Sequence, residues 1–324
     1  MHRWLIPTAA AFALVFTVGV VFLALKPNNE VGTSGYQVRH WSIQLQGIKP
    51  ELIESRNDDL TVIDYSADGH AETIFTSADL ARIKTRPDGG QKLVLAYLSI
   101  GESESYRHYW DPVWSIRRPD WMGAENPRWP GNFSVDYWTR EWRSVLYGDP
   151  DAYLDRILAA GFDGVYLDTI SEFTRAEGKD RPRAAKAMID LIVDLAAYAR
   201  ERRPNFLVIA QNPGSLARSE RMRSVIDAIA QEDLLYGVDG DGKENSENYF
   251  KRVSASLNVA YQAGLPILVV EYLPVGEKRM EAAKRLGQLG YVATFATRKL
   301  DQPSDSDPVS AQVSFGIRAA NAPR

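Results

Sequence analysis

The spacing of hydrophobic positions changes repeatedly along the chain, and that alternation predicts most of the architecture. Short, nearly continuous apolar runs rich in β-branched and aromatic residues recur eight times, at 39–44, 60–66, 93–99, 163–168, 206–211, 228–232, 266–272 and 291–297. Runs of this kind suit strands covered on both faces, as in a parallel sheet wrapped by helices. Between them the spacing lengthens to the helical period. Asp149 and Pro150 supply an N-cap and a first helical residue for a helix carrying Leu154, Ile157 and Leu158 and stopped by Gly161. A second helix is expected over 182–203, with Met188, Leu191, Ile192 and Leu195 on one face and Arg200, Arg202 and Arg203 at the negative end of its dipole. Two more start at Ser246 and Glu277 and stop at Gly264 and Gly290. Strand and helix in this rhythm imply right-handed βαβ units, and eight of them close a (β/α)8 TIM barrel over 38–301. An open doubly wound sheet is the alternative, weakened because no G-x-G-x-x-G follows a strand.

Three stretches break the rhythm. Residues 4–25 carry no charged side chain and are long enough to cross a bilayer. The run lacks the small-residue ending of a cleaved signal, so an N-terminal membrane anchor over 1–26 is favoured, with the remainder outside the cytoplasm, or secreted or periplasmic if cleavage occurs. A linker is expected over 27–37 and a polar C-terminal tail over 302–324. The stretch 101–148 is long and rich in aromatics, Trp110, Trp114, Trp121, Trp129, Trp138 and Trp142 among them. Following the third strand, it belongs on the C-terminal face of a barrel, where active sites form. Most of its rings should make a satellite core, and the rest are free to stack on sugars.

Charge and residue inventory narrow the chemistry. With 38 Lys+Arg against 42 Asp+Glu the chain lacks the basic excess that nucleic acid requires. There is no cysteine, which excludes disulfides, thiolate metal sites and cysteine nucleophiles. The four histidines form no i, i+4 pair, and the acidic residues lack the spacing of a cation-binding loop, so neither a metal nor a cofactor is expected. Carboxylates are left to do the work. In a barrel the strand ends bring Asp64, Asp168, Glu232 and Glu271 to one face, with Glu102 just past the third strand. Asp168 closes DGVYLD and Glu232 closes AIAQE, apolar strands with no structural need for a charge at the mouth. Capping a helix or pairing with an arginine would explain any one of them equally well; several together point to catalysis. Glycosidic bond hydrolysis needs two carboxyl groups, and burial beside a second carboxylate raises one pKa so that it holds a proton. Tyr65, Tyr97, Ser99, Gln211, Asn212 and Tyr272 are polar residues suited to sugar hydroxyls, although a tyrosine at a strand end more often packs.

These segments carry a resemblance. The set LTVIDYS (60–66), LAYLSIGESESYR (95–107), NPRWPGNFSVDYW (126–138), GFDGVYLDT (161–169), AQNPGS (210–215), AQEDLLYG (230–237), VVEYL (269–273) and GYVATFATRKLD (290–301) resembles the endo-α-1,4-polygalactosaminidase family, glycoside hydrolase family 114, in order across 38–301. The resemblance implies an α-galactosidase-like barrel that cleaves α-1,4-linked galactosamine-containing polysaccharide, with retention. It places the nucleophile on Asp168 and the acid/base on Glu232, the opposite order remaining open, and substrate contacts on Asp64 and Glu102. A cationic galactosamine polymer would suit a cleft crowded with Asp64, Asp68, Glu102, Glu104 and Asp233. The other readings are a catalytically silent carbohydrate-binding protein at the cell surface and a hydrolase for another α-linked sugar such as an α-galactoside.

Overall fold

The computed structural model describes residues 35–306 and 311–315. Eight parallel strands lie side by side in sequence order: β1 (Trp41–Gln44), β2 (Leu60–Ile63), β3 (Leu93–Ser99), β4 (Gly164–Asp168), β5 (Leu207–Gln211), β6 (Ala228–Glu232), β7 (Ile267–Glu271) and β8 (Val292–Phe295). The predicted runs at 93–99 and 228–232 match their strands end to end, and the other six shorten by one to three residues at an edge. Each strand is nearly all buried, because one face points into the barrel and the other packs under helices. Trp41, Ile43, Leu60, Val62, Leu95, Tyr97, Tyr166, Ile209, Leu268, Val270 and Val292 form the interior cluster. A larger cluster between sheet and helices holds the alternate residues.

The sheet is nearly closed, and the way it closes departs from the sequence expectation. A short ninth strand, Asp305–Ser306, runs antiparallel to β8 and fills the gap before β1. Trp41 N–H donates to Ser306 Oγ at 2.8 Å, Ser306 Oγ donates back to Trp41 O at 2.7 Å, and Ile43 N–H donates to Ser304 Oγ at 2.9 Å. Serine hydroxyls thus stand in for the missing ladder, so residues set apart as a polar tail belong to the barrel wall. Val313–Phe315 pairs antiparallel with Tyr36–Val38, part of the expected linker, and Val38, Val313 and Phe315 pack into the interior cluster at the N-terminal ends of the strands.

The helices follow the sequence signals with one shift. Ser246 caps Glu247–Gln262 by accepting from Tyr249 N–H at 3.2 Å, and Gly161 ends Tyr153–Ala160 in the left-handed conformation at φ 101°. Asp149 does not cap that second helix. Its carboxylate accepts from Asp151 N–H at 2.9 Å, and the helix begins three residues later than its signal suggests, at Tyr153 rather than Pro150. The stretch 101–148 folds into a three-stranded antiparallel sheet and a helix, Arg140–Leu146, with Trp110, Trp114, Trp121 and Trp142 in successive ring contact. Trp129 and Trp138 stay exposed. The expected membrane segment, 4–25, lies outside the described residues. Among the described residues no helix is long and apolar enough to cross a membrane.

Candidate active site at the barrel mouth

Strand alternation decides which sequence candidates face the cleft. Residues two apart share a face, so the inward set of β2 to β7 continues to Asp64, Tyr97, Asp168, Gln211, Glu232 and Tyr272. Tyr65 and Glu271 fall on the opposite parity. Tyr65 packs edge-on against Tyr153 and its hydroxyl meets His108 Nδ1 at 3.1 Å. The Glu271 carboxylate is fully buried behind the sheet and accepts from Leu235 N–H at 2.7 Å and Tyr236 N–H at 3.2 Å. Burial outweighs these bonds and pushes its pKa up to about 8. The structure therefore makes Glu271 a clasp for the loop after β6, and it removes both residues from the expected sugar contacts.

Asp168 and Glu232 sit partly exposed at the mouth in matching surroundings. Asp168 accepts from Tyr97 O–H at 2.8 Å and from Thr169 N–H at 2.6 Å. Glu232 accepts from Asn212 Nδ2–H at 3.0 Å and from the Tyr272 hydroxyl. Asn212 is fixed the right way round because its oxygen receives Glu232 N–H at 2.9 Å and Gln231 Nε2–H at 3.0 Å. Burial, reinforced by the charge on Glu232, raises the Asp168 pKa to about 7 against the opposing hydrogen bonds. Burial also raises Glu232, opposed by Tyr272 and Asn212. Asp168 therefore keeps part of its proton near neutrality, with the Glu232 charge among the causes.

Backbone strain gathers at the same place. Thr169, Asn212 and Asp233, each immediately after a barrel strand, have φ of 60°, 45° and 49°. Asn and Asp tolerate this region, whereas a β-branched threonine does so only where its surroundings hold it. Thr169 Oγ1 accepts from Gly101 N–H at 2.7 Å, and a Cβ on Gly101 would lie 2.4 Å from Thr169 O. Gly101 is the residue that lets these two turns touch.

The remaining acidic candidates are already engaged. Asp64 takes Arg107 Nη1 at 2.7 and 2.9 Å, and Arg107 Nε reaches Glu104 at 2.6 Å. Burial would lower the pKa of Arg107, but the charges of Asp64 and Glu104 prevail and hold it well above its usual value. Glu102 accepts from Asn126 at 2.9 Å and Asn132 at 3.3 Å, fixing the turn that carries Trp129. Asp233 forms a two-pronged pair with Arg298 at 3.0 Å in each arm. Asp68 accepts from His70 N–H at 3.0 Å and from the Thr73 hydroxyl. Of the acids expected to attract a cationic polymer, Asp64, Glu104 and Asp233 are paired with arginines, whereas Glu102 and Asp68 are held by neutral amide, backbone and hydroxyl donors. Sequence reasoning missed Arg107 and Arg298. The strand parity was available in the sequence; the pairs of Arg107 with Asp64 and of Arg298 with Asp233 and Asp241 join residues far apart along the chain and were not.

A barrel with one Asp and one Glu converging at the C-terminal ends of its strands is the arrangement of a glycoside hydrolase. The chain belongs to glycoside-hydrolase family GH114, whose profile matches residues 26–311. An uncharacterized protein of Methanocaldococcus jannaschii is 35% identical over 81% of this chain and 72% of its own length. One of Deinococcus radiodurans is 32% identical over 82% of each chain. Among solved structures, the glycoside hydrolase domain of PelA from Pseudomonas aeruginosa superposes with a TM-score of 0.64 at 21% identity, covering 85% of this chain and 99% of that domain.

Proposed function

We propose that this glycosidase cleaves α-1,4-linked galactosamine-containing polysaccharide with retention of configuration, Asp168 attacking the anomeric carbon and Glu232 protonating the departing oxygen. The observation that carries the reading is the carboxylate pair at the barrel mouth, each member held by one tyrosine hydroxyl and one N–H donor. Attack forms the bond from Asp168 to carbon as the glycosidic bond breaks, and the proton of Glu232 goes to the leaving oxygen. Glu232 then takes a proton from the water that releases the sugar. The step needs Asp168 charged and the proton on Glu232, so binding must shift any proton that Asp168 holds to Glu232. The cationic character that develops at the anomeric carbon and the two donors on Asp168 favour that shift. The uncharged run at 4–25 supports a membrane-tethered enzyme acting outside the cytoplasm.

The test is release of reducing ends from α-1,4-galactosamine polymers, free and acetylated, and from α-galactosides. Asp168→Asn and Glu232→Gln are each expected to lose about 10²–10⁴-fold in kcat. Sugar binding without turnover by the unaltered protein would establish the silent binder instead, and turnover confined to α-galactosides would move the substrate assignment. A first product of inverted configuration, read by proton NMR, would exclude the covalent step.

A further inference from the structure

Among the described residues inside the barrel, two buried polar atoms have no partner. Tyr166, two residues before Asp168 on β4, is 1% exposed, and its hydroxyl bonds to nothing in the fold. Gln211 at the end of β5 is 5% exposed, and its side-chain oxygen is equally unmet. Parity turns both inward. Leu167 lies opposite Ala210, so the register continues to set Gln211 level with Asp168, with Tyr166 one layer below. Strand β5 runs between β4 and β6, which places the two atoms in the floor between Asp168 and Glu232. The charges of both carboxylates act on the Tyr166 hydroxyl, after burial the next influences that raise its pKa.

Buried polar atoms are nearly always paired in folded proteins, so two unmet ones on adjacent strands of one cleft mark a place for a group from outside the chain. One of them is an O–H donor and the other an acceptor. A hydroxyl gives and takes at once, whereas an ammonium only gives and a carbonyl only takes. We propose that Tyr166 and Gln211 form a hydroxyl pocket in the cleft floor, Tyr166 donating to and Gln211 accepting from one hydroxyl of the sugar that lies across Asp168 and Glu232. This deepens the glycosidase reading and rests on it.

Calorimetric binding of an α-1,4-galactosamine oligosaccharide and of an α-galactoside oligosaccharide to the Asp168→Asn protein separates binding from turnover. Adding Tyr166→Phe is expected to weaken binding of the preferred sugar about 10–100-fold. Its Tm without sugar stays the same or rises, since the ring remains and an unmet hydroxyl is gone. Gln211→Met gives a similar loss, and the two together lose less than the product of the separate effects because they share one hydroxyl. The monodeoxy sugar lacking that hydroxyl binds the parent and the Tyr166→Phe protein alike. Unchanged sugar affinity with a lowered Tm would mean a structural water alone and would overturn the pocket. Binding that depends on Tyr166 in a protein whose unaltered form turns over no glycan would sink the hydrolase reading and leave the pocket standing.

Discussion

On one side of the barrel mouth the Tyr97 hydroxyl reaches Asp168, and Arg107 faces the Tyr97 ring at 5.7 Å while clamped by Asp64 and Glu104. On the other, the Tyr272 hydroxyl reaches Glu232, and Arg298 covers the Tyr272 ring at 4.5 Å while clamped by Asp233 and Asp241. Each carboxylate is hung from a tyrosine backed by an arginine and two acids. The copies differ in burial: the Arg107 side chain is 1% exposed and that of Arg298 37%. Around Arg107 neither water nor salt screens the charges, so removing the cation strands two buried carboxylates. Around Arg298 solvent repairs most of the loss. The Asp168 half is built as a fixed platform, and the Glu232 half is open to salt and pH.

The sharpest way to break that comparison is to delete each arginine. Arg107→Met should cost about 3–5 kcal/mol of unfolding free energy, measured by chemical denaturation at neutral pH. A cost as small as an exposed pair's would show that the platform does not rest on it.

A smaller effect tests the Asp168 half through pH. Its folded pKa, about 7, lies above the ordinary carboxylate value, so the native protein binds the extra proton and the contribution of Asp168 to stability falls as pH rises from about 4 to 7, then levels. Asp168→Asn should therefore be more stable than wild type at pH 8 by about 1–2 kcal/mol, the full shift being discounted for solvent at this partly exposed carboxyl, with the gap closing near pH 4. A gap independent of pH would assign it to packing rather than to the proton.

The smallest effect belongs to the exposed side. Arg298→Met should change stability by no more than about 1 kcal/mol. Because the Arg298 charge lowers the Glu232 pKa, its loss should move the limb of the pH–rate profile that belongs to the pair upward, and high salt should do the same to wild type. A profile insensitive to both changes would show that the outer arginine has no hold on the acid/base.

Much of this site was legible along the chain. Asp168 and Glu232 stand out because a charge at the end of an otherwise apolar strand has to be explained. Counting by twos from Leu60 and from Leu268 would have kept Asp64 and Tyr272 in the cleft and turned Tyr65 and Glu271 out of it. The duty of Asp64 was not legible, since its partner Arg107 lies 43 residues away in an aromatic-rich stretch with no periodic signal. Nor was it legible that pairing reduces the acidity of the cleft without cancelling it, Arg107 being shared by Asp64 and Glu104 and Arg298 by Asp233 and Asp241.

The sequence by itself determined the strand–helix alternation, the order of the barrel strands and the two carboxylates at its mouth. Those follow from local periodicity and from the chirality of βαβ connections. Only the tertiary structure decided that serines at 304 and 306 close the seam, that Asp64, Glu104 and Asp233 are paired with arginines, and that Tyr166 and Gln211 are left unmet in the floor. Those outcomes depend on which polar groups distant segments bring within about 3 Å of one another, and on how much water burial removes between them, neither of which local pattern encodes.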